Sequence, residues 1–411
     1  MLDVCVLGGG PAGLIAAIFA ARQGRSVVII DKNNRPLKLL ISGKGRCNLT
    51  NNCDNQAVLQ NVVTNSKFLY SALNFLNPQD LMQFFEDLNV PLKTERGGRV
   101  FPQSDKSADV ANALLNECKH LNIKRKIATI KAIKVDNGAI LSAKLDNDEE
   151  VAAKTFILAM GGKSYPRTGS NGAGFAIAKS LGHKINEPRA ALVPLEAIEI
   201  WPRDVQGLSL KNVAIKAFNV ENSKIIYEDF GEMLFTHFGI SGPIILSASS
   251  HLKDVKAGKY KIIIDLKPAL DEETLSRRIA RDFENNRKSI FKNSLNALLP
   301  TSLIDVIIEK SGIAPEKKVA EITKNEHMSL VKTLKNLELT IAAKRGFDEA
   351  IVTQGGVCVS EINPATMQSK FISNLYFAGE IVDVDALTGG FNLQIAFSTG
   401  ALAGHNIKIG E

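Results

Sequence analysis

The sequence predicts an α/β fold: a parallel, Rossmann-like sheet with a β-meander, interrupted by an inserted β-rich segment and a small helical segment. Three observations support this prediction. The first 31 residues follow the order strand, glycine turn, helix, strand, and short apolar runs with glycines return from about residue 346. Between these two parts the pattern becomes β-rich and then helical. The chain has 411 residues, of which 45% are hydrophobic and 23% charged, so it is not a disordered protein.

The elements are predicted in chain order from their apolar patterns. A βαβ unit covers residues 2–31, and a helix at 108–120 leads into three β-like runs, at 123–135, 139–145 and 151–159, which resemble a β-meander. Beyond Pro188 the β-rich runs lie at 210–227 and 260–266. The helical segment opens with three acids, as is favourable at a helix N-terminus, and carries an apolar stripe of Leu275, Ile279 and Phe283.

This order predicts three domains. The two chain ends, 1–187 and 346–411, form a nucleotide-binding domain. The insert divides into a β-rich domain, 188–270 with 338–345, and a helical domain, 271–337.

Charge and cysteine content limit the possible partners and compartment. The chain has 50 basic and 43 acidic residues, a net charge of +7, and residues 277–345 alone hold 14 basic and 8 acidic residues. Such charge usually marks a solvated surface, but here it leaves a nucleic-acid partner open. Five cysteines without a CxxC pair predict a reducing cytoplasm. The apolar runs are too short for a membrane span, and the histidine spacing disfavours a metal site.

The first turn carries a dinucleotide-binding pattern. Gly8-x-Gly10-Pro11-Ala12-Gly13 follows a strand and opens a helix, so that Gly8 permits the turn, Gly10 admits a pyrophosphate and Gly13 lets helix and strand approach. The phosphates would then rest on the helix N-terminus. Asp31, at the end of the second strand, is placed to accept hydrogen bonds from a ribose, and Lys32 follows it. The alternative is a structural glycine turn.

The far end of the chain indicates which dinucleotide is bound. A buried strand closes on Gly379 and Glu380, and a helix of small residues begins after a second turn whose candidate cofactor residues are Gly389, Gly390, Asn392, Leu393 and Gln394. This pairing resembles the second FAD half-site of two-dinucleotide-type flavoproteins. The resemblance implies that the acid holds the ribityl hydroxyls and that the helix points its N-terminus at the flavin pyrimidine. Ala159, Gly161 and Gly162 match a third element of those proteins, with Met160 in place of threonine.

A polar, glycine-rich loop after the second strand is a further candidate for cofactor contact. Its candidate residues are Lys38, Ser42, Gly43, Gly45, Arg46, Cys47 and Asn48. The basic side chains would counter phosphate charge, and the alternative is a charged surface loop. A redox dithiol is disfavoured because Cys47 and Cys53 lack the spacing of disulfide reductases.

Several blocks together resemble one family. Residues 38–51, 99–102, 161–166, 234–243 and the C-terminal block are similar to the BaiN-type bacterial flavoproteins, NAD(P)/FAD-dependent oxidoreductases with aminoacetone oxidase-like members. The motifs run from residue 6 to about residue 404. The resemblance implies a FAD-binding domain with a β-barrel-like and a helical insert, acting on small organic substrates.

Three functions remain open. The main hypothesis is a FAD-dependent oxidoreductase, with His237 as an acid or base beside Thr236, although His237 is as readily a turn residue. Because residues 188–345 contain no second GxGxxG unit, either NADH or NADPH would bind transiently or the substrate itself would reduce the flavin. The alternatives are an RNA-modifying flavoprotein that uses the basic helical insert and a non-catalytic flavin sensor. The sequence disfavours nucleic acid because the basic stretch has few aromatics, and it does not determine the oligomeric state.

Overall fold

The computed structural model describes residues 1–408 and divides them into two compact units. One unit combines Met1–Ala191 with the C-terminal segment that starts at Gly346, and the other is Leu192–Arg345. Each unit has its own hydrophobic core. Residues 409–411, the end of the predicted nucleotide-binding domain, lie outside the described residues. The α/β fold class, with a Rossmann-type sheet and an inserted barrel and helices, is confirmed.

The first segment of the chain builds most of the first unit. Its strands are β1 (Leu2–Leu7), β2 (Val27–Asp31), β3 (Thr50–Asn51), β4 (Val62–Thr64), β5 (Leu92–Thr94), β6 (Arg99–Pro102), β7 (Lys124–Ile127), β8 (Ile130–Asp136), β9 (Ala139–Leu145), β10 (Glu150–Leu158) and β11 (Ile185–Ala191). Its helices are α1 (Pro11–Ala21), α2 (Leu37–Ile41), α3 (Asn55–Gln60), α4 (Tyr70–Phe75), α5 (Pro78–Asp87), α6 (Ser107–His120) and α7 (Ala173–Ser180).

The second unit follows and is a barrel with helices. Its strands are β12 (Leu195–Ala197), β13 (Ser209–Asn219), β14 (Lys224–Thr236), β15 (Gly239–Ser241), β16 (Tyr260–Asp265) and β17 (Leu337–Lys344). Its helices are α8 (Pro243–His251), α9 (Glu272–Asn285), α10 (Phe291–Ser294), α11 (Thr301–Ser311) and α12 (Lys324–Lys335).

The chain then returns to the first unit. The returning elements are β18 (Val352–Val357), β19 (Leu375–Phe377), β20 (Asp385–Ala386) and α13 (Phe391–His405). No helix among residues 1–408 is both long enough and apolar enough to cross a membrane.

The main sheet has the strand order β7-β2-β1-β10-β9-β8, with β19 added beside β10. Strand β10 is shared: its first half pairs antiparallel with β9, and Phe156–Leu158 pairs parallel with β19. The predicted run 123–135 is two strands, because β7 pairs parallel with β2 while β8 pairs antiparallel with β9. The side chains of Val4–Leu7 are fully buried, as expected for a central parallel strand.

The barrel of the second unit closes in the order β12-β15-β14-β13-β16-β17. Helix α9 begins where the sequence predicts, since the Asp271 carboxylate caps it by accepting the Thr274 N–H at 2.7 Å. Its stripe of Leu275, Ile279 and Phe283 is buried. One apolar cluster includes residues of both the barrel and the helices, so the finer division of the insert into two domains remains a prediction.

Helices α1 and α13 pack closely in the first unit because small residues face each other. A Cβ added at Gly400 would lie 2.4 Å from the Ala12 carbonyl oxygen, and one at Gly404 would lie 2.1 Å from that of Ala16. This close packing fixes the two helix N-termini relative to the sheet.

Candidate functional site

A cavity of about 240 Å³ opens in the first unit, where the parallel strands end. Its walls include Gly8 after β1, Asp31 after β2, Ala159 after β10 and Ala378 after β19. Ligands of open α/β sheets bind at the carboxyl ends of the strands, and the volume is far above the roughly 30 Å³ of a water molecule. The cavity is therefore a ligand site rather than a packing defect.

The cavity brings together about half of the residues that the sequence predicts to hold the cofactor. Those in its walls are Gly8, Gly10, Pro11, Ala12, Asp31, Lys32, Lys38, Ser42, Ala159, Gly161, Glu380, Asn392 and Leu393. Those outside its walls are Gly13, Gly43, Gly45, Arg46, Cys47, Asn48, Gly162, Gly379, Gly389, Gly390 and Gln394.

The three glycines of the first turn have different surroundings. A Cβ at Gly8, where φ is +109°, would lie 2.4 Å from the Ala159 carbonyl oxygen, and a Cβ at Gly13 would lie 1.9 Å from the Gly8 carbonyl oxygen. At Gly10 no atom of the described protein lies within 4 Å of the added carbon. Two of the glycines are thus required by the protein itself, whereas Gly10 leaves space on the cavity side, as close approach by a ligand requires.

Two helix N-termini face the cavity without a side-chain cap. Helix α1 starts after Gly10 and α13 after Gly390, and neither has an acidic residue in its first turn. Residues of both first turns line the cavity. Because the first backbone N–H groups of a helix lack intrahelical partners, these ends favour a ligand with negative charge or acceptor oxygens.

Asp31 is held rigidly at the edge of the cavity. One carboxylate oxygen accepts the Gly9 N–H at 2.6 Å and the other accepts the Asn33 N–H at 2.6 Å. The backbone thereby fixes the carboxylate, which retains lone pairs for a hydroxyl of a ligand.

Glu380 belongs to a polar cluster with Lys38 and Ser164. Its carboxylate accepts from the Lys38 ammonium at 2.5 Å, the Ser164 hydroxyl at 2.8 Å and the Thr353 N–H at 2.7 Å. Burial alone would raise the pKa of this carboxyl, but the Lys38 charge and the three donors outweigh burial and hold the pKa below its ordinary value. Glu380 is therefore a fixed anion in the cavity wall, and Lys38 is its counter-ion.

The loop of residues 42–48 contacts the cavity mainly through Ser42. Arg46 instead forms hydrogen bonds with Glu95 and Asp105 and stacks on Phe101, with its guanidinium carbon 4.1 Å from the ring centre. Cys47 is buried in the core, where burial raises the pKa of its thiol to about 12. The two side chains are thus occupied by protein contacts, and for Arg46 this favours the alternative, a charged surface loop, over a phosphate contact.

Other predicted residues outside the walls support the cavity from behind. Gln394 is fully buried and donates to the Leu76 carbonyl and the Ser398 hydroxyl. A Cβ at Gly162 would lie 2.4 Å from the Thr353 hydroxyl oxygen, and a Cβ at Gly390 would lie 2.3 Å from the Thr50 carbonyl oxygen. The glycines of these motifs are needed for packing between protein segments.

Ser170 is a site residue that the sequence prediction omitted. It lines the cavity, and its hydroxyl oxygen is buried and has no hydrogen-bond partner among residues 1–408. An unpaired buried hydroxyl is costly and fits a ligand group. Asn33 and Thr129 also line the cavity, and no pattern in the sequence marks them.

The two candidate catalytic residues lie in the second unit. Thr236 ends β14, and its hydroxyl accepts the Gly239 N–H at 3.1 Å in the turn to β15. His237 is exposed, with its ring 5.0 Å from that of Phe238. Thr236 thus makes a structural contact in this turn, and catalytic roles for Thr236 and His237 remain predictions.

The family model of the HI0933-like protein Rossmann domain matches residues 2–406. The chain belongs to this family. This membership confirms the resemblance to the BaiN-type flavoproteins that the motifs indicate, and the match covers nearly the whole chain.

Two curated relatives and one solved structure are similar to this chain over nearly its whole length. The chain is 32% identical to the 3-dehydro-bile acid delta(4,6)-reductase of Clostridium scindens, covering 98% of both chains. It is 29% identical to the ribosomal RNA dihydrouridine synthase of Escherichia coli, covering 97% of this chain and 96% of that one. The 3-ketosteroid delta1-dehydrogenase of Sterolibacterium denitrificans has the same fold, with a TM-score of 0.50, 11% identity and 98% of both chains covered.

This HI0933-like protein is a FAD-dependent oxidoreductase. Its cavity fits FAD in three respects: the open space at Gly10, the two uncapped helix N-termini and the unpartnered Ser170 hydroxyl. The prediction that nucleic acid is an unlikely partner is not confirmed, because a relative of similar identity is named for ribosomal RNA.

Proposed function

We propose that this protein uses FAD to add two hydrogens across a C=C bond conjugated to a carbonyl group. The two curated relatives are named for reactions of this type on different ring systems, a 3-dehydro-bile acid and a uridine. Both names describe saturation of a double bond that lies next to a carbonyl. Reduced flavin supplies a hydride to such a bond, and a second group supplies the proton.

One observation supports the proposal above the others: the N-termini of α1 and α13 converge on a single cavity. We assign the α1 end, with Gly10 and Ser170, to the pyrophosphate. We assign the α13 end, with Asn392 and Leu393, to the flavin ring, where positive potential stabilises the negative charge of the reduced ring. Asp31 would hold the adenosine ribose, and Glu380 with Lys38 the ribityl chain.

NADH or NADPH is proposed as the reductant, binding transiently. Residues 192–345 form a barrel with helices and not a second βαβ unit, which is consistent with a transient visit. His237 is retained as the candidate proton donor because it is exposed, whereas Cys5, Cys47 and Cys118 are buried. The five unpaired cysteines support a reducing cytoplasm as the compartment.

The test is anaerobic reduction of the FAD-loaded protein. NADH or NADPH should bleach the visible flavin absorbance, and a cyclic enone should restore it while gaining two hydrogens by mass spectrometry. If the flavin is bleached but returns only with oxygen, the double-bond assignment is wrong. If neither nicotinamide bleaches it, the protein is a flavin sensor or takes electrons from its substrate, and an amine panel distinguishes these two cases.

RNA is the second candidate substrate. It is favoured by the dihydrouridine synthase relative and by the basic excess of residues 277–345. The same anaerobic assay tests it, with transcribed ribosomal RNA in place of the enone and dihydrouridine measured after digestion. Turnover of the enone without any dihydrouridine would leave the small-molecule reductase as the function.

A further inference from the structure

A groove of about 220 Å³ lies within the second unit, between the start of β13, the residues after β16 and the start of α11. Two of its walls carry lysines, Lys211 and Lys267, beside the polar side chains of Ser209 and Asn212. None of the residues that line the groove is acidic. The groove is in the second unit, whereas the FAD cavity is in the first, and none of the groove residues is assigned to FAD.

The two lysines have no counter-ion in the protein. Among residues 1–408 neither ammonium makes an ion pair or a hydrogen bond, although Lys267 is half-buried. Burial and the neighbouring Arg278 guanidinium both lower the pKa of the Lys267 ammonium. A cation that is partly removed from water and placed beside another cation is costly unless an anion joins it. The groove therefore lacks one partner, and that partner is negatively charged.

The positive surface continues from the groove along α9. Arg278 approaches Lys267, and Arg281, three residues further on, is its neighbour on the helix surface. Arg281 is exposed and makes no ion pair among the described residues. Three acids lie nearby, and each already has a partner: Asp282, 3.7 Å from Arg278; Glu232, which accepts the Ser209 hydroxyl; and Asp265, which accepts the Lys267 backbone N–H and pairs with the Lys335 ammonium. They offset part of the charge but leave Lys211, Lys267 and Arg281 without partners.

We propose that the groove of Lys211 and Lys267, extended by Arg278 and Arg281, binds the phosphodiester backbone of RNA. Several separate cations, two in the groove and two on α9, fit successive phosphates of a strand better than they fit one small anion. The scarcity of aromatic residues here means that this surface positions RNA without reading its bases. The inference rests on the second candidate of the proposed function, the RNA substrate.

The test compares two double variants of the FAD-loaded protein. Lys211→Ala/Lys267→Ala removes the groove cations, and Lys224→Ala/Lys256→Ala removes two exposed lysines of the same unit that make no ion pair among residues 1–408. A fluorescent single-stranded RNA is titrated at several salt concentrations and followed by anisotropy. We expect the groove variant to bind about tenfold more weakly, with a salt slope shallower by roughly 1.4 for two lost phosphate contacts on a single strand. The control should match the wild type.

A charge-preserving double variant separates the loss of charge from a loss of folding. Lys211→Arg/Lys267→Arg should bind RNA like the wild type, which shows that charge and not folding is responsible. The proposal is overturned if the groove variant and the control lose affinity equally, or if the wild type does not bind RNA at low salt. It is also overturned if inorganic phosphate or NADPH binds the groove while RNA affinity is unaffected by the substitutions. Flavin bleaching and enone reduction, measured on the same variants, report separately on the proposed reductase.

Discussion

The turn of Gly8–Gly13 and the loop of residues 42–48 resemble each other in the sequence, since both are rich in glycine and follow a strand of the same βαβ unit. In the structure the turn lines the cavity with a glycine, Gly10, that has open space beside its backbone, and with the N-terminus of α1. The loop turns its charged and sulfur side chains to other protein groups, and mainly Ser42 reaches the cavity. Glycine content alone therefore does not separate a ligand-binding turn from a structural one. The two segments differ in whether the glycine backbone and the side chains face the cavity or contact other protein groups.

The largest expected effect tests the turn. Gly13→Ala would place a methyl group 1.9 Å from the Gly8 carbonyl oxygen, so we expect loss of about 3 kcal/mol or more of unfolding free energy and loss of bound FAD. Gly10→Ala is the matched variant, because its methyl group meets no protein atom within 4 Å. It should melt like the wild type without FAD yet bind FAD at least about tenfold more weakly. If the two substitutions lowered the melting temperature equally, Gly10 would also be required by the protein fold and not only by FAD.

The next effect concerns Lys38, which precedes the loop. Lys38→Met leaves the Glu380 carboxylate without its counter-ion, and since both groups are partly exposed we expect a loss of about 2 kcal/mol near neutral pH. The pKa of Glu380 is lowered in the wild type, so its stabilising contribution is present above the ordinary value of 4.5 and is lost as the pH falls below it. The gap in melting temperature between the two proteins should therefore narrow as the pH falls below 4.5 and through the lowered pKa of Glu380. Lys44→Met, in the exposed part of the loop, should show no such pH dependence.

A smaller effect is expected inside the loop. At Gly43 φ is +56° and an added Cβ would lie 2.9 Å from the Asn48 nitrogen, whereas at Gly45 φ is +83° and the space is open. Gly43→Ala should cost about 2 kcal/mol of unfolding free energy and Gly45→Ala about 1 kcal/mol. Chemical denaturation measures both. FAD affinity, corrected for the unfolded fraction, should change far less than in Gly10→Ala, and an equally large loss would make the loop a cofactor contact.

The smallest effect is expected at Arg46. Its guanidinium is partly exposed and already paired with Glu95 and Asp105, so Arg46→Ala should leave FAD affinity within about twofold of the wild type. Fluorescence titration of the apoprotein with FAD measures this. A loss of FAD affinity of more than about tenfold would instead support the contact between Arg46 and the FAD phosphates that the sequence predicts.

Much of the first unit was predictable because its signals are local. The order of strand, glycine turn and helix fixes where Gly8, Gly10 and Asp31 stand, since short connections hold them at one end of the sheet. The second half-site was predictable for the same reason, because Glu380 and Asn392 flank a strand and a helix start. Ser170 was missed because its unpartnered hydroxyl is defined by burial and not by a neighbouring residue type.

The sequence by itself determined the α/β class through periodicity, and its motifs determined the family, whose resemblance implied FAD as the cofactor and the barrel and helical insert. Each of these signals lies in residues close together in the chain. Only the tertiary structure decided which motif residues face the cavity, since Lys38 meets Glu380 and Arg46 meets Glu95 across long stretches of sequence. It also decided that the basic excess includes a groove of unpaired lysines, which net charge cannot reveal. Burial and pairing are properties of the folded chain, and the same lysine or arginine is a counter-ion, a surface charge or a binding group according to what lies beside it.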